Sequence, residues 1–435
     1  MNGVPVRGNQ SESVGRFVSL RGRLLRSQWM LADQALVSAM NFLTTALLAR
    51  LLGIHNFGVF SVLYILLQFA NSFQSSLIVS PMLTIAPQLL GIRGRETFLR
   101  GMAGCQFVFS VGCSALTLLL PLAQKFKLLS TGVGGDVLFA FALTIVCFQA
   151  QDWLRRYWYV EEDGRAVFTN DLISYSGQIA MLLILWRMHN ATVLTAFYAI
   201  ALTSLVAFVA GAWNKQLWGT LEEIKDAAKK AWTIGRSLLV ANQFQWVGSQ
   251  GILLIIAETS GVNAASGIRA VITLLGPVNV LYQLLDNVIP VRAAKIFAAQ
   301  GKAGLLTYLR RTGLLLSSLV GVPVTLIVLT EKPIMALAFG KSFAPYASLV
   351  AWQAIYTLLA LIYRGLQYYY RTVGSTGVLA RSSVVVSLVS VGLCVILAQR
   401  FGATGGMVAL VIGQVLNVVI PLKSIVFSKR TEADA

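Results

Sequence analysis

The chain has 435 residues, of which 56% are hydrophobic and only 12% charged, with 35 Lys and Arg against 17 Asp and Glu. A soluble fold carries about 25% charged residues, so this composition excludes one and points to a membrane protein. The net charge of +18 does not indicate nucleic acid, because the bases are spread over loop after loop on one side, as suits an anionic inner leaflet, and no nucleic-acid module is recognisable.

In chain order, residues 1–28 read as a polar, basic tail without the pattern of a cleavable signal. Twelve apolar blocks follow, at 29–52, 57–80, 102–122, 136–154, 166–188, 192–213, 235–257, 264–290, 305–329, 344–368, 377–398 and 405–427. Each is near the ~20 residues that cross ~30 Å of hydrocarbon, so the reading is an all-α polytopic membrane protein of about twelve transmembrane helices. If the N-terminus is inside, 26 of the 35 basic residues fall in cytoplasmic segments, six in outer loops (Lys125, Lys127, Arg187, Lys332, Lys341 and Arg400) and three within spans (Arg50, Arg269 and Arg364). That alternation is the positive-inside pattern and predicts that both ends are cytoplasmic.

The longest polar interruption, 214–234, reads as a cytoplasmic amphipathic linker helix. It divides the chain into six spans at 29–213 and six at 235–427, before a cytoplasmic tail at 428–435. Two such six-helix bundles around a central cavity match a parallel repeat. A shift of 209 residues supports it, laying Ala32-Asp33-Gln34 on Ala241-Asn242-Gln243, Gly58 on Gly267 and Pro81 on Pro290.

Lipid-facing helices are apolar all round, so polar stripes mark faces turned to protein or water. Span 1 carries Gln34, Ser38, Asn41 and Thr45. Span 2 carries Tyr64, Gln68, Asn71 and Ser75, and span 5 carries Asp171, Ser174 or Tyr175, and Gln178. Span 7 carries Asn242, Gln245 and Ser249. Span 8 carries Arg269, Thr273, Gly276, Gln283 and Asp286, and span 10 carries Gln353, Tyr356, Arg364, Gln367 and Arg371. Each residue alone fits interhelical hydrogen bonding in a packed bundle; the whole pattern fits a central aqueous cavity.

Arg50 and Arg269 lie toward the outer span ends, where a long side chain can snorkel. Arg364, beside Tyr368, Tyr369, Tyr370 and Arg371, fits an aromatic belt with basic anchors or a sugar or phosphate site equally well. Asp33, Asp171 and Asp286 sit near cytoplasmic span ends, open to solvent or to local bases, and are candidates for ion coupling. The four cysteines (Cys105, Cys113, Cys147 and Cys394) lie in apolar spans without paired spacing, and His55 and His189 are too few for a metal centre, so no metal or cofactor is expected. Gly340-Lys341-Ser342 has the tail of a phosphate-binding loop, but Met335 stands where the first Gly is needed. No nucleophile elbow and no zinc-protease pattern occurs, so a transporter is expected rather than an enzyme.

Four stretches in order resemble bacterial polysaccharide (O-antigen) flippases of the multidrug/oligosaccharidyl-lipid/polysaccharide exporter superfamily. They are Leu48-Ala-Arg-Leu-Leu-Gly-Ile-His-Asn-Phe-Gly58; Asp152-Trp-Leu-Arg-Arg-Tyr-Trp-Tyr159 with Asn170-Asp171; Gly267-Ile-Arg-Ala with Leu275-Gly-Pro-Val-Asn-Val280 and Pro290; and Ala338-Phe-Gly-Lys-Ser-Phe343. The resemblance runs from about residue 25 to the end. It implies two six-helix bundles with a V-shaped cavity. It also implies that the protein flips an undecaprenyl-pyrophosphate-linked oligosaccharide across the bacterial cytoplasmic membrane for cell-surface polysaccharide synthesis. Its partners would be that lipid-linked cargo, membrane lipids and a polysaccharide polymerase complex. On this reading Arg155, Arg156, Arg292 or Arg364 captures the pyrophosphate near the cytoplasmic rim, and Arg50 and Arg269 receive it toward the outside. Asn41, Gln68, Gln245 and Gln283 would meet the sugars. Relatives often concentrate cations at mid-cavity, whereas the evident ones here sit near the ends. The rival is a cation-coupled multidrug exporter of the same superfamily, favoured by Asp33; a membrane glycosyltransferase or ligase would need a catalytic carboxylate on outer loops that are short here.

Overall fold

The computed structural model describes the backbone of residues 10–89, 91–125, 133–375 and 377–433. It describes their side chains except at 10–27, 30–31, 92, 120–125, 237, 241, 245, 279–280, 283–284, 286–288, 291, 380 and 426–433. Among the described residues every regular element is helical. They are α1 (Gln10–Gln74), a π-turn (Ser75–Val79), α2 (Ser80–Ile85), a 3-10 turn (Ala86–Gln88), α3 (Ile92–Lys125), α4 (Gly135–Val160), α5 (Gly164–Arg187), α6 (Val193–Ala212), α7 (Leu221–Trp246), a second π-turn (Val247–Gly251), α8 (Ile252–Ser260), α9 (Val262–Leu274), α10 (Val278–Leu329), α11 (Glu331–Phe339), a second 3-10 turn (Lys341–Tyr346), α12 (Leu349–Val373) and α13 (Gly377–Ala433).

Among the described residues seven stretches are long and apolar enough to cross a membrane, and the longest, Ala32–Gln88 and Gly377–Ile425, run for 57 and 49 residues. At 1.5 Å per residue those far exceed one crossing. Glycines divide them: Gly53 at φ 70° in α1 and Gly402 at φ 58° in α13. A side chain with a Cβ is strained at such angles, so these positions set where each long helix folds back. Gly261, at φ 86°, makes the corresponding turn between α8 and α9. The outer faces are apolar in the way lipid requires: Leu314, Leu315, Leu319, Val322 and Leu326 of α10 are all exposed.

Two sequence expectations change. The apolar block 264–290 is not one helix, because α9 ends at Leu274 and α10 starts at Val278. Pro277 has no N–H to continue the ladder, and the chain turns at Leu275-Gly276-Pro277. The linker, in turn, is not a separate surface helix. A capping box at Thr220 and Glu223 starts α7, which runs unbroken from the linker into the next apolar stretch. Its first turns lie on α3, where a Cβ on Gly101 would come within 2.3 Å of the Glu223 carbonyl oxygen. Only a glycine permits that approach, and Arg100 closes it with an ion pair to Glu223 at 2.8 Å.

The helices pack in a consistent order. α4 lies against α3 and α6, α5 against α1 and α6, α12 against α10 and α13, and α13 against α8. α1 also packs against α9, joining residues early and late in the chain. We call the end of the molecule that carries Gly53 and Gly261 the glycine end, and the other, where residues 213–230 lie, the linker end. The largest buried cluster gathers at the glycine end from both parts of the chain, with Leu48, Phe57 and Phe60 beside Ile268, Phe339 and Phe343. The other three clusters draw either on residues up to 231 or on residues from 275 onward, never on both.

Candidate functional site

The stripes on spans 1, 2, 5 and 8 converge. A cavity of ≈ 300 Å³ is lined by Gln34, Ser38, Asn41, Thr44 and Thr45 of the first limb of α1, by Tyr64 and Gln68 of its second limb, by Tyr175 and Gln178 of α5, and by Arg269 and Thr273 of α9. Phe42, Phe57, Phe60 and Phe148 complete the wall. Among the described residues Arg269 is the only cation in the lining, and no carboxylate is there. Its guanidinium carbon lies 5.0 Å from the centroid of the Tyr64 ring, within range of a cation–π contact. Its side chain faces the cavity. The cavity therefore offers amides and hydroxyls, aromatic faces, and one positive charge without a counter-ion.

Behind this wall lies a buried charge cluster. Arg155 of α4 donates to Asp33 Oδ2 at 2.9 Å and pairs through Nε with Asp171 Oδ2 at 2.7 Å. Both carboxylates are fully buried. The Tyr159 hydroxyl donates to Asp33 at 3.0 Å, Gln151 donates to Asp171 at 3.0 Å, and Gln34 of the cavity wall donates to the Tyr159 hydroxyl at 3.3 Å. Gln151, Arg155 and Tyr159 are four residues apart, so they share one face of α4. Asp33 and Asp171 are thus neither solvated nor free, and Arg155, expected at the rim, is held between them. With all three ionised the cluster carries one net negative charge. Desolvation makes such a group costly unless every member stays paired.

At the glycine end the cavity is shut. The Ser266 hydroxyl donates to the Ile54 carbonyl at 2.6 Å, and a Cβ on Gly58 would sit 2.4 Å from the Val262 carbonyl oxygen. The Phe57 and Phe343 rings meet edge to face with centroids 5.8 Å apart. Arg50 is exposed and away from the cavity; it donates to the Leu337 and Ala338 carbonyls in the last turn of α11. That turn has carbonyls without helical partners and the negative end of the dipole, and a guanidinium satisfies both.

The remaining candidates fall elsewhere. Arg156 pairs with Asp152 at 3.5 Å, and Arg292 is exposed on α10. Arg364 lies 4.6 Å over the Tyr282 ring, in the α10–α12 contact. Tyr368, Tyr369 and Tyr370 are buried, and Tyr370 donates to the Pro421 carbonyl at 2.8 Å, so they are not an aromatic belt. Asn242 donates to Ser76 at 2.9 Å. The side chains of Gln245, Gln283 and Asp286 lie outside the described residues. The reading by polar stripes missed the phenylalanines of the wall, although Phe57, Phe60 and Tyr64 fall on one helical face.

Solved structures with the same arrangement of helices exist. The structure of the lipid II flippase MurJ in an inward closed conformation superposes with a TM-score of 0.70 at 12% identity, covering 92% of this chain and 87% of that one. The chain has the fold of the exporter superfamily. A multidrug resistance MATE family transporter of that superfamily matches at 0.63 in its inward-facing form, with 14% identity and coverage of 94% and 95%. Its outward-facing counterpart matches at 0.58, with 13% identity and coverage of 94% and 96%. No protein-family model and no curated protein matches the sequence. Apolar helices and a transporter fold together make this a multi-pass membrane protein.

Proposed function

We propose that the protein flips an undecaprenyl-pyrophosphate-linked oligosaccharide from the inner to the outer leaflet of a bacterial cytoplasmic membrane. The observation that carries this reading is Arg269, a cation without a carboxylate partner in a cavity of amides, hydroxyls and aromatic rings. A guanidinium takes a phosphate oxygen pair in a fork, while Gln34, Asn41, Gln68 and Gln178 fit sugar hydroxyls and the rings fit sugar faces. Two six-helix bundles, 29–213 and 235–427, would rock about this cavity, with twelve spans and both ends in the cytoplasm. The linker end is then the cytoplasmic side, which the loop-by-loop bias of Lys and Arg supports. The closed glycine end and the higher TM-score to the inward-facing MATE structure both fit an inward-facing state. Exposed Arg292 would meet the pyrophosphate first, and a polysaccharide polymerase complex would take the delivered cargo.

The cluster of Asp33, Arg155 and Asp171 is our candidate for ion coupling, because it sets two buried carboxylates against one guanidinium. The rival, a multidrug exporter, draws on the MATE neighbours. A cationic drug needs a carboxylate in the cavity, and the described lining has none. The test is reconstitution in liposomes with a fluorescent undecaprenyl-pyrophosphate oligosaccharide, with and without a proton gradient. Protein-dependent leaflet exchange is expected. Cationic dye efflux without lipid exchange would replace this reading with the exporter.

A further inference from the structure

Granted the anionic cargo proposed above, on which this rests, we infer that Tyr64 is the positioning residue of the cavity's cation, and that through it anion binding and closure of the glycine end favour one another. The guanidinium carbon of Arg269 lies over the Tyr64 ring, 5.0 Å from its centroid. The electron-rich ring face holds the charge electrostatically and leaves the fork of N–H donors for a phosphate. An arginine side chain loses much rotamer freedom when it is ordered. A ring that already holds it removes part of that loss from the binding step.

The ring is itself fixed. Tyr64 and Phe60 stack with centroids 5.8 Å apart and planes 22° apart, Phe60 stacks on Phe197 of α6 at 5.0 Å, and Phe197 meets Phe141 of α4 edge to face at 5.3 Å. Phe60, Phe141 and Phe197 are buried. The series of rings runs from the core to the cavity wall, where Tyr64 ends it. All four rings precede the linker in the chain, whereas Arg269 follows it.

The contact of ring and cation therefore joins the two proposed bundles, and it does so beside the closure. Ser266, one turn before Arg269 on α9, donates to the Ile54 carbonyl at 2.6 Å. Val262, one turn earlier still, meets Gly58, which lies less than two turns before Tyr64 on α1. The helix segments that carry the ring and the cation are thus the ones that shut the glycine end. When they part there, the ring leaves the guanidinium and the cation loses its support. Anion affinity is higher with the glycine end closed. Linkage is reciprocal, so a bound anion favours closure by the same factor.

The experiment titrates the full-length protein in phosphatidylcholine nanodiscs with geranyl pyrophosphate, a soluble prenyl pyrophosphate, and follows maleimide labelling of an Ala347→Cys reporter. Ala347 is buried in the glycine-end cluster, and the reporter is placed in a background without the four native cysteines. Saturable binding is expected, with labelling slowed about fivefold at saturation. Tyr64→Leu should weaken binding about fivefold and abolish the protection of the reporter. Tyr64→Phe keeps an aromatic face and should retain both. Phenylalanine carrying one, two or three ring fluorines at position 64 keeps the shape but weakens the negative face, so affinity should fall step by step. That series stays informative if Tyr64→Leu fails to fold. Absence of binding to the wild type overturns the anionic-cargo reading and this inference with it. Binding that is unchanged in Tyr64→Leu, or flat across the fluorine series, overturns the role of Tyr64 and leaves that reading standing. Binding that does not protect the reporter overturns the link to closure.

Discussion

Arg50 Nε donates to the Ala338 carbonyl oxygen at 3.0 Å, joining two residues that are 288 positions apart. The bond ties the end of the first limb of α1 to the last turn of α11 at the closed end of the cavity. Arg50→Ala should loosen this end. A charged hydrogen bond at an exposed site is worth about 1 kcal/mol, so labelling of an Ala347→Cys reporter, buried in the same cluster, in a background without the four native cysteines should rise roughly fivefold. Unchanged labelling would mean that the ring contacts alone keep the end shut.

Arg269→Ala should abolish leaflet exchange of the lipid-linked sugar while leaving insertion and helicity intact. The loss of a charge-assisted phosphate contact corresponds to about 1.5–3 kcal/mol, or roughly ten- to a hundredfold in affinity. Arg269→Lys keeps the charge but loses the fork, so it should recover only part of the rate. Full activity in the alanine variant would remove Arg269 from cargo binding.

Arg155→Ala should be among the most destabilising single changes in the molecule. It leaves Asp33 and Asp171 buried without a cation, at a cost of about 3–5 kcal/mol. Combining it with Asp33→Asn and Asp171→Asn should restore much of the thermal stability measured in detergent, since no buried charge remains. If the triple variant is stable and flips lipid with the same response to a proton gradient, the cluster is structural and the coupling lies elsewhere.

Glu223 makes linker docking acid-sensitive. Hydrogen bonding from Arg100 and from the Thr220 N–H holds its carboxyl below the ordinary glutamate value. The sign follows from that direction: the contribution is present above the unfolded value and is lost as pH falls through the lowered folded one. A spin label on the linker at Lys229 should become more mobile as pH drops below the usual carboxylate range. In Glu223→Gln that transition should disappear.

Much of the fold was legible in the residues. Apolar blocks of span length and polar stripes at helical spacing reflect local rules, because each helix must satisfy its own backbone in lipid. The stripe residues Gln34, Asn41, Gln68, Gln178 and Arg269 could be named from period alone, since helical spacing determines which residues share a face. The sequence by itself thus determined the membrane class, the helical elements and the polar faces. Only the tertiary structure decided what those faces touch. Period cannot show that Asp33, Arg155 and Asp171 meet, because their contact joins three helices and sets Asp33 against Arg155 from 122 positions away. Nor can it separate Arg50, which caps α11, from Arg269, which faces the cavity, since both are single arginines in apolar helices. Which face meets which, and so whether a charge is spent on a partner or left open for cargo, is a property of helix packing.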